Sequence, residues 1–411
     1  MDYKKQTLLN TAANVVYLFV QWLFTVFATR LVSVEAAGIL TFAVSLTNIL
    51  YTVENYGMRP YQVSDAHGEF STSQYVRLRY FTTAIGVVSC IIFLLITGYS
   101  FEKTAIIFLF FLYRGWEALS DVYYGEMQRK ELLHLSAYSM IIKSVVSLIL
   151  FAALTFVTEG LIVPLISINA VAAIMLILDI RIFKKLPNDN SERARKSIKA
   201  PLKVGFFMML AMMFPILVTS LPRMFLDTYY GEELLGYFGN VSMPATLIVA
   251  IVPNILTPIM SLYGNWISEK KYAQFKKMYV LTIVGSIVLS LVFLIGFMLL
   301  GKWFMSLVYG DDIIPYVTYM YPLVITTAVY AISMCNTNAL IAQRSNMIVW
   351  ISSALSCVIT LVCCFTLVRL EGITGLIATL AISYGAQVLV QLFGIVSKFI
   401  SYGKESKKAV F

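Results

Sequence analysis

Apolar residues fall in long blocks separated by short polar breaks, and about 20 apolar residues cross a bilayer as helix. Twelve such blocks run along the chain, at 9–31, 36–58, 79–98, 104–126, 137–157, 161–183, 203–226, 234–262, 279–300, 316–343, 346–368 and 372–397. The fourth is the weakest by hydropathy. Its stretch FLYRGWEALSDVYYG carries Arg114, Glu117 and Asp121 at i, i+3 and i+7, one face of a helix. An ionisable side chain at a helix centre costs roughly 2.5–3.5 kcal/mol to insert. Three on one face predict that this face meets water, protein or a substrate path, and not lipid.

Composition agrees with a membrane class. The 411 residues are 59% hydrophobic and 13% charged, against about 25% charged for soluble domains. The five cysteines lie inside apolar runs without metal-ligand spacing, and read as small hydrophobes. The N-terminus lacks a small-residue cleavage site after a short apolar core, so it reads as a retained first span. Both histidines, His67 and His134, fall in loops. That spacing predicts no histidine metal centre, and the absence of GxxxxGK[ST] predicts no ATP hydrolysis. The longest loop, about twenty residues, is too small for a glycosyltransferase or polymerase domain. A transporter is expected, not an enzyme, with no cofactor.

Charge placement fixes the expected topology. Counted against the twelve blocks, 24 of the 31 lysines and arginines fall on the side of the N-terminus and five on the other. By the positive-inside rule this predicts both termini in the cytoplasm. The net charge of +9 is therefore topology, helped by anionic lipid, and not a nucleic-acid surface.

The loop RIFKKLPNDNSERARKSIKAPLK divides the chain into halves of six spans: 1–185, a linker at 186–202, and 203–411. Three landmarks recur in the same order. They are Glu35-Ala-Ala-Gly38 and Glu233-Leu-Leu-Gly236, Gln128-Arg129 and Gln343-Arg344, and Glu159-Gly160-Leu161 and Glu371-Gly372-Ile373. Six is even, so two such repeats share one orientation about an axis along the membrane normal. The expected fold is all-α and integral to the membrane, with twelve transmembrane helices in two pseudo-symmetric six-helix bundles around a central cavity. Rocking of the bundles would give alternating access.

ATRLVSVEAAGILTFAVSLTNILYTVENYGMRPYQVSDAHG, RGWEALSDVYYGEMQRKELL, LPRMFLDTYYGEELLGYFGNVSMP and LEGITGLIATLAISYGAQVLVQL together resemble polysaccharide-biosynthesis flippases. These belong to the multidrug/oligosaccharidyl-lipid/polysaccharide exporter superfamily. The resemblance implies transfer of undecaprenyl-diphosphate-linked oligosaccharide repeat units across the cytoplasmic membrane, for O-antigen or capsule. It implies membrane lipids and the lipid-linked substrate as partners, polysaccharide polymerase machinery as a further one, and a monomer. The drug-exporting branch shares the twelve-span plan, so a cation-coupled multidrug exporter stays open. A membrane-embedded polymerase or ligase for the same lipid-linked sugars is the third reading.

The candidate site residues are Arg114, Glu117, Asp121, Lys143, Glu54, Arg59, Arg30 and Arg223. Lys143, about seven residues into the fifth span, is expected at the depth of Asp121 and paired with it. Such a cluster either lines a cavity or fixes helix packing. Arginine's planar fork suits phosphate oxygens. Arg59 and Asp179, near inner helix ends, fit snorkelling or capping as well. With Arg30 and Asp179 included, the set holds four charges of each sign, so no net cationic path follows. Glu117 and Asp121, like charges at i and i+4, are candidates for coupling to H+ or Na+. Arg30 and Arg223 end the first spans of the two halves, where they either face each other across the axis or snorkel to lipid phosphate. The second half shows no formal charge deep in its spans. It offers amides instead (Asn240, Asn254, Asn336, Asn338, Gln387 and Gln391), and prolines 215, 222, 244, 253 and 258 as candidate bending points.

Overall fold

The computed structural model describes residues 3–65, 69–185 and 197–408; the side chains at 3–4, 247–248, 250–251, 253–255, 257–258, 261 and 403–408 lie outside that description. His67, most of the expected linker (186–196), and the side chains of Asn254, Pro253 and Pro258 therefore fall outside the described residues.

Among the described residues every regular element is helical. The first six long helices are α1 (Tyr3–Leu31), α2 (Val34–Asn55), α4 (Thr72–Thr97), α5 (Phe101–Arg129), α6 (Leu133–Thr158) and α7 (Ile162–Lys185), with a short α3 (Met58–Ser64) after α2. They are followed by α8 (Lys199–Ser268), α9 (Tyr272–Tyr309), α10 (Met320–Ala342), α11 (Asn346–Cys363) and α12 (Arg369–Lys408). A 3-10 segment, Asp311–Tyr319, leads into α10, and a π segment, Cys364–Val368, extends α11.

At 70 residues α8 exceeds one crossing, and its helical backbone is interrupted at Gly231 (φ 85, ψ 178). Gly372 (φ 57, ψ −123) interrupts the start of α12 in the same way. A side chain resists positive φ and glycine does not, so these glycines turn the chain. Pro215, Pro222 and Pro244 stay within helical backbone, and the turn in α8 falls at Gly231 instead. With α8 counted as two limbs, twelve long segments span the described chain, as the hydropathy pattern predicts. Among the described residues nine stretches qualify as membrane-crossing by length and composition; two of them contain the glycine turns, and α5 is not among them. Its charged face is the reason.

The repeated landmarks mark helix ends in both halves. Glu35 sits in the first turn of α2, behind the Ser33 cap whose Oγ accepts from the Ala36 amide at 3.1 Å. Glu233 follows the Gly231 turn. Glu131 (φ 57) and Arg344 (φ 55) close the ends at the Gln-Arg landmarks, and Glu159 (φ 47) and Gly372 (φ 57) those at Glu-Gly.

Contacts divide the chain into two units, Met1–Ile216 and Leu217–Phe411, a division that falls inside α8 and not at 186–202. The first turns of α8 belong to the first unit because Met209 packs with Tyr56, Met58 and Leu78 in that unit's core. In the second unit, Tyr263, Phe275, Tyr279, Leu340 and Ile395 form the core. Leu299 (77% exposed) and Phe393 (79%) on its helices point outward, where only a hydrocarbon medium would cover them. The protein is a multi-pass membrane protein.

Candidate substrate site in the first unit

The charged face of α5 opens on a cavity of about 360 Å³ inside the first unit. Five helices supply its wall: Asn10, Asn14 and Tyr17 from α1, Tyr51 from α2, Arg59 from α3, Arg114 through Gln128 from α5, and Ser136, Met140 and Lys143 from α6. On α5 the lining residues Arg114, Glu117, Asp121, Tyr124 and Gln128 follow the helical repeat, so they share one face. That face is polar because each residue on it has a partner across the gap.

Two ion clusters organise the wall. In the first, Glu117 lies between Arg114 (2.5 Å) and Lys143 (2.9 Å). Tyr17 donates its hydroxyl to Glu117 at 2.8 Å and accepts from Arg114. The Arg114 guanidinium also rests 4.1 Å from the Tyr51 ring centroid, a favourable cation–π geometry. In the second cluster, Asp121 pairs with Arg59 through one oxygen and with Arg79, at 3.1 Å, through the other. Arg59 further donates to the Asp121 carbonyl at 2.9 Å and to Gln128 at 3.0 Å. Each carboxylate is thus bridged by two cations.

Lys143 does not pair with Asp121. Its partner is Glu117, one turn away on the same face of α5, and Asp121 is taken up by the arginines of α3 and α4. Residue depth along a helix places a side chain only to within about a turn, and α3 was not legible in the sequence. α3 exists because the left-handed Tyr56–Gly57 turn (φ 52 and 63) ends α2 and lets the chain return to α5. There Gln62 donates to the Val122 carbonyl (3.0 Å) and to Glu126 (2.7 Å).

A family model described as "polysaccharide biosynthesis protein" matches residues 3–263, the part of the chain that contains this entire cavity. The chain belongs to that family. No curated protein matches it in sequence. Among solved structures, the lipid II flippase MurJ in an inward closed conformation superposes with TM-score 0.70 at 15% identity, covering 97% of this chain and 89% of that one. A MOP superfamily transporter from Pyrococcus furiosus gives 0.67 at 14%, covering 97% and 96%. The Vibrio cholerae MATE transporter VcmN gives 0.63 at 13%, covering 96% of each chain. At these identities the likeness is one of fold.

In this family member the structure brings together Arg59, Arg114, Glu117, Asp121 and Lys143, and it places Glu54, Arg30 and Arg223 elsewhere. Glu54 is fully buried between α2, α4 and α5, and a Cβ at Gly86 would lie 2.8 Å from its Cγ. Arg30 is exposed at the end of α1. Arg223 belongs to the second unit, its guanidinium 5.8 Å from the Phe238 ring. Asp179 is fully buried on α7, outside the cavity lining. The four-against-four balance expected from the sequence therefore does not describe the wall, whose own lining holds three cations and two carboxylates.

Sequence reasoning missed Arg79, counted as a loop cation. Its side chain is 3% exposed and donates to the Glu54 carbonyl at 3.3 Å and to Asn55. It also missed the polar stripe of α1, where Asn10, Asn14, Tyr17 and Gln21 follow one helical face. Gln21 donates to Tyr113, at 3.3 Å. The spacing was there to find, since four polar groups at helical intervals inside an apolar run signal a shared partner.

Proposed function

We propose that the protein carries undecaprenyl-diphosphate-linked oligosaccharide repeat units from the cytoplasmic to the outer leaflet, by alternating access, for surface polysaccharide. Both termini lie in the cytoplasm on this reading, as the loop charges predict. One observation supports it above the rest. The cavity of the first unit is lined by three cations, Arg59, Arg114 and Lys143, against two carboxylates, Glu117 and Asp121, with Arg79 behind the wall on Asp121, so the lining carries a surplus of positive charge. A diphosphate presents two adjacent anionic groups, and arginine and lysine donors match its oxygens. The clusters sit one helical turn apart on α5, about 6 Å, within reach of one diphosphate.

A cationic drug would meet like charge on the same wall, which weighs against the multidrug exporter. The family match points the same way. Coupling to H+ or Na+ through Glu117 and Asp121 would require these bridges to open, since both carboxylates are engaged by side-chain cations.

Expression in a strain lacking its polysaccharide flippase tests the reading. Surface polymer should return with the wild-type protein and be lost with Arg114→Ala or Lys143→Met. Dye resistance without polymer would select the drug exporter.

A further inference from the structure

Across from the charged face of α5, the α1 side of the cavity wall is neutral. Tyr17 marks the level of the Arg114–Glu117–Lys143 cluster. Asn10 lies seven residues before it on α1, and Ser136 seven residues before Lys143 on α6. At 1.5 Å per residue both sit about 10 Å from the level of Tyr17 and Lys143, in the same direction, because α1 and α6 run parallel, Gln6 meeting His134 and Tyr17 meeting Lys143. The Arg59–Asp121 cluster occupies a similar depth on the facing wall, since Tyr124 of α5 meets Ser139 of α6. Asn14 lies between, exposed to the cavity, its amide donating to the Asn10 carbonyl at 3.0 Å. Beyond them Gln6 bonds the His134 ring nitrogen at 3.0 Å and ties α1 to α6, so this wall has a fixed geometry. Its polar lining is amide and hydroxyl, with no ionic group from α1, and Lys143 as the one cation of α6.

We propose that Asn10, Asn14 and Ser136 form a saccharide-reading wall that selects the sugar joined to the diphosphate. This rests on the flippase reading above and adds the orientation and specificity of its ligand. Sugar hydroxyls and acetamido groups both donate and accept hydrogen bonds, as asparagine amides do; Ser136, whose hydroxyl donates to the Leu133 carbonyl at 2.8 Å, offers its oxygen as an acceptor. A diphosphate needs the cationic level instead. A ligand with a diphosphate and a hydroxyl-rich sugar fits this cavity with its phosphates along the cations that face α5 and its first sugar against the neutral α1–α6 wall. Sites built on hydrogen bonds reject ligands that leave those groups unpaired, so the wall supplies discrimination that the charges cannot.

The test uses the full-length protein in lipid nanodiscs and three probes: polyprenyl diphosphate bearing N-acetylglucosamine, the same lipid bearing galactose, and the sugar-free polyprenyl diphosphate. Dissociation constants are measured for wild type, Asn14→Ala, Asn10→Ala and Ser136→Ala, and for Arg114→Ala. The wild-type preference between the two sugars should shrink by about three- to tenfold per hydrogen bond lost in the wall variants. The ratio of glycosylated to sugar-free affinity should fall with it. Arg114→Ala should weaken all three probes together and leave the sugar preference intact. Wall variants that keep the preference, or that weaken the sugar-free probe as much as the others, overturn the saccharide wall. Unchanged affinity of Arg114→Ala for the sugar-free probe overturns the diphosphate assignment instead, so the two failures are told apart. Asn14 is exposed, and Asn14→Ser serves as a second variant should Asn14→Ala not fold.

Discussion

The two units solve the same problem, polar groups inside a membrane protein, with different chemistry. The first unit holds its interior with formal charges: Arg114, Lys143, Arg59 and Arg79 around Glu117 and Asp121. The second uses neutral groups: Tyr279 donates to Asn336 at 2.8 Å, Gln391 to Thr337 at 3.0 Å, Gln387 to Ser353 at 3.3 Å, and Thr360 to Ser383 at 2.8 Å. The second is not wholly uncharged, because Asp227, assigned to a loop by the sequence, is 5% exposed on α8. Charges cost far more to desolvate than amides, and buried ion pairs seldom recover that cost through stability. Their concentration around one cavity therefore argues for a ligand that needs charge. Amides and hydroxyls at 2.8–3.3 Å are what helix packing in a membrane requires anyway.

The sharpest way to break this comparison is Glu117→Ala. The substitution leaves Arg114 and Lys143 facing each other without their shared carboxylate, at an expected cost of about 3–5 kcal/mol. Thermal unfolding of the purified protein in nanodiscs reads it, and transport should be lost as well. A double-mutant cycle on Arg114 and Glu117 should show strong coupling, and near-additive losses would mean the cluster is not a unit.

Next come the close approaches. A Cβ at Gly375 would fall on the Leu367 carbonyl, whereas at Gly86 it meets the Glu54 side chain. Backbone cannot yield as a side chain can, so Gly375→Ala should cost more than Gly86→Ala, each within about 1–3 kcal/mol. The reverse order would show that the Glu54 socket is as rigid as the α11–α12 turn.

Asn336→Ala in the second unit removes one neutral hydrogen bond to Tyr279. Its expected cost is about 1 kcal/mol, well below that of Glu117→Ala. Equal shifts in melting temperature would erase the distinction between the units.

The smallest effect is at Asp65, in the connection between α3 and α4. Burial raises its carboxyl pKa, but the amides of Phe70 and Glu69 and the Tyr75 hydroxyl outweigh it and hold the group below its ordinary value. A depressed folded pKa gives stability that is present above the unfolded value, about 3.9, and is lost as pH falls through the folded one. Wild type should thus exceed Asp65→Asn in stability at neutral pH. The gap should close below about pH 4, and a gap that widened in acid would reverse the sign.

Much of this was legible before any coordinates. Arg114, Glu117 and Asp121 announced a polar face on α5 because an apolar run tolerates three charges only when they share a destination. The glycine turn of α12, Gly372, belongs to a repeat landmark, and that of α8, Gly231, lies two residues before one, since a chain reversing at a membrane surface needs a residue that accepts positive φ. The partner of Lys143 was not legible. One turn of α5 separates the two carboxylates, and helix rotation and tilt decide between them. Arg79 illustrates the same limit: at the edge of an apolar run a snorkelling arginine and a buried one look identical.

Sequence by itself determined the class, the twelve long apolar segments and the charged face of α5, because hydropathy and helical period are local properties. Only the tertiary structure decided which charges meet and which stand apart. It excluded Glu54 and Asp179 from the cavity wall, brought in Arg79 behind it, and set the neutral stripe of α1 beside the charged stripe of α5. Pairing between helices depends on rotation and on a short return helix such as α3, and both are fixed by packing with segments distant in the chain.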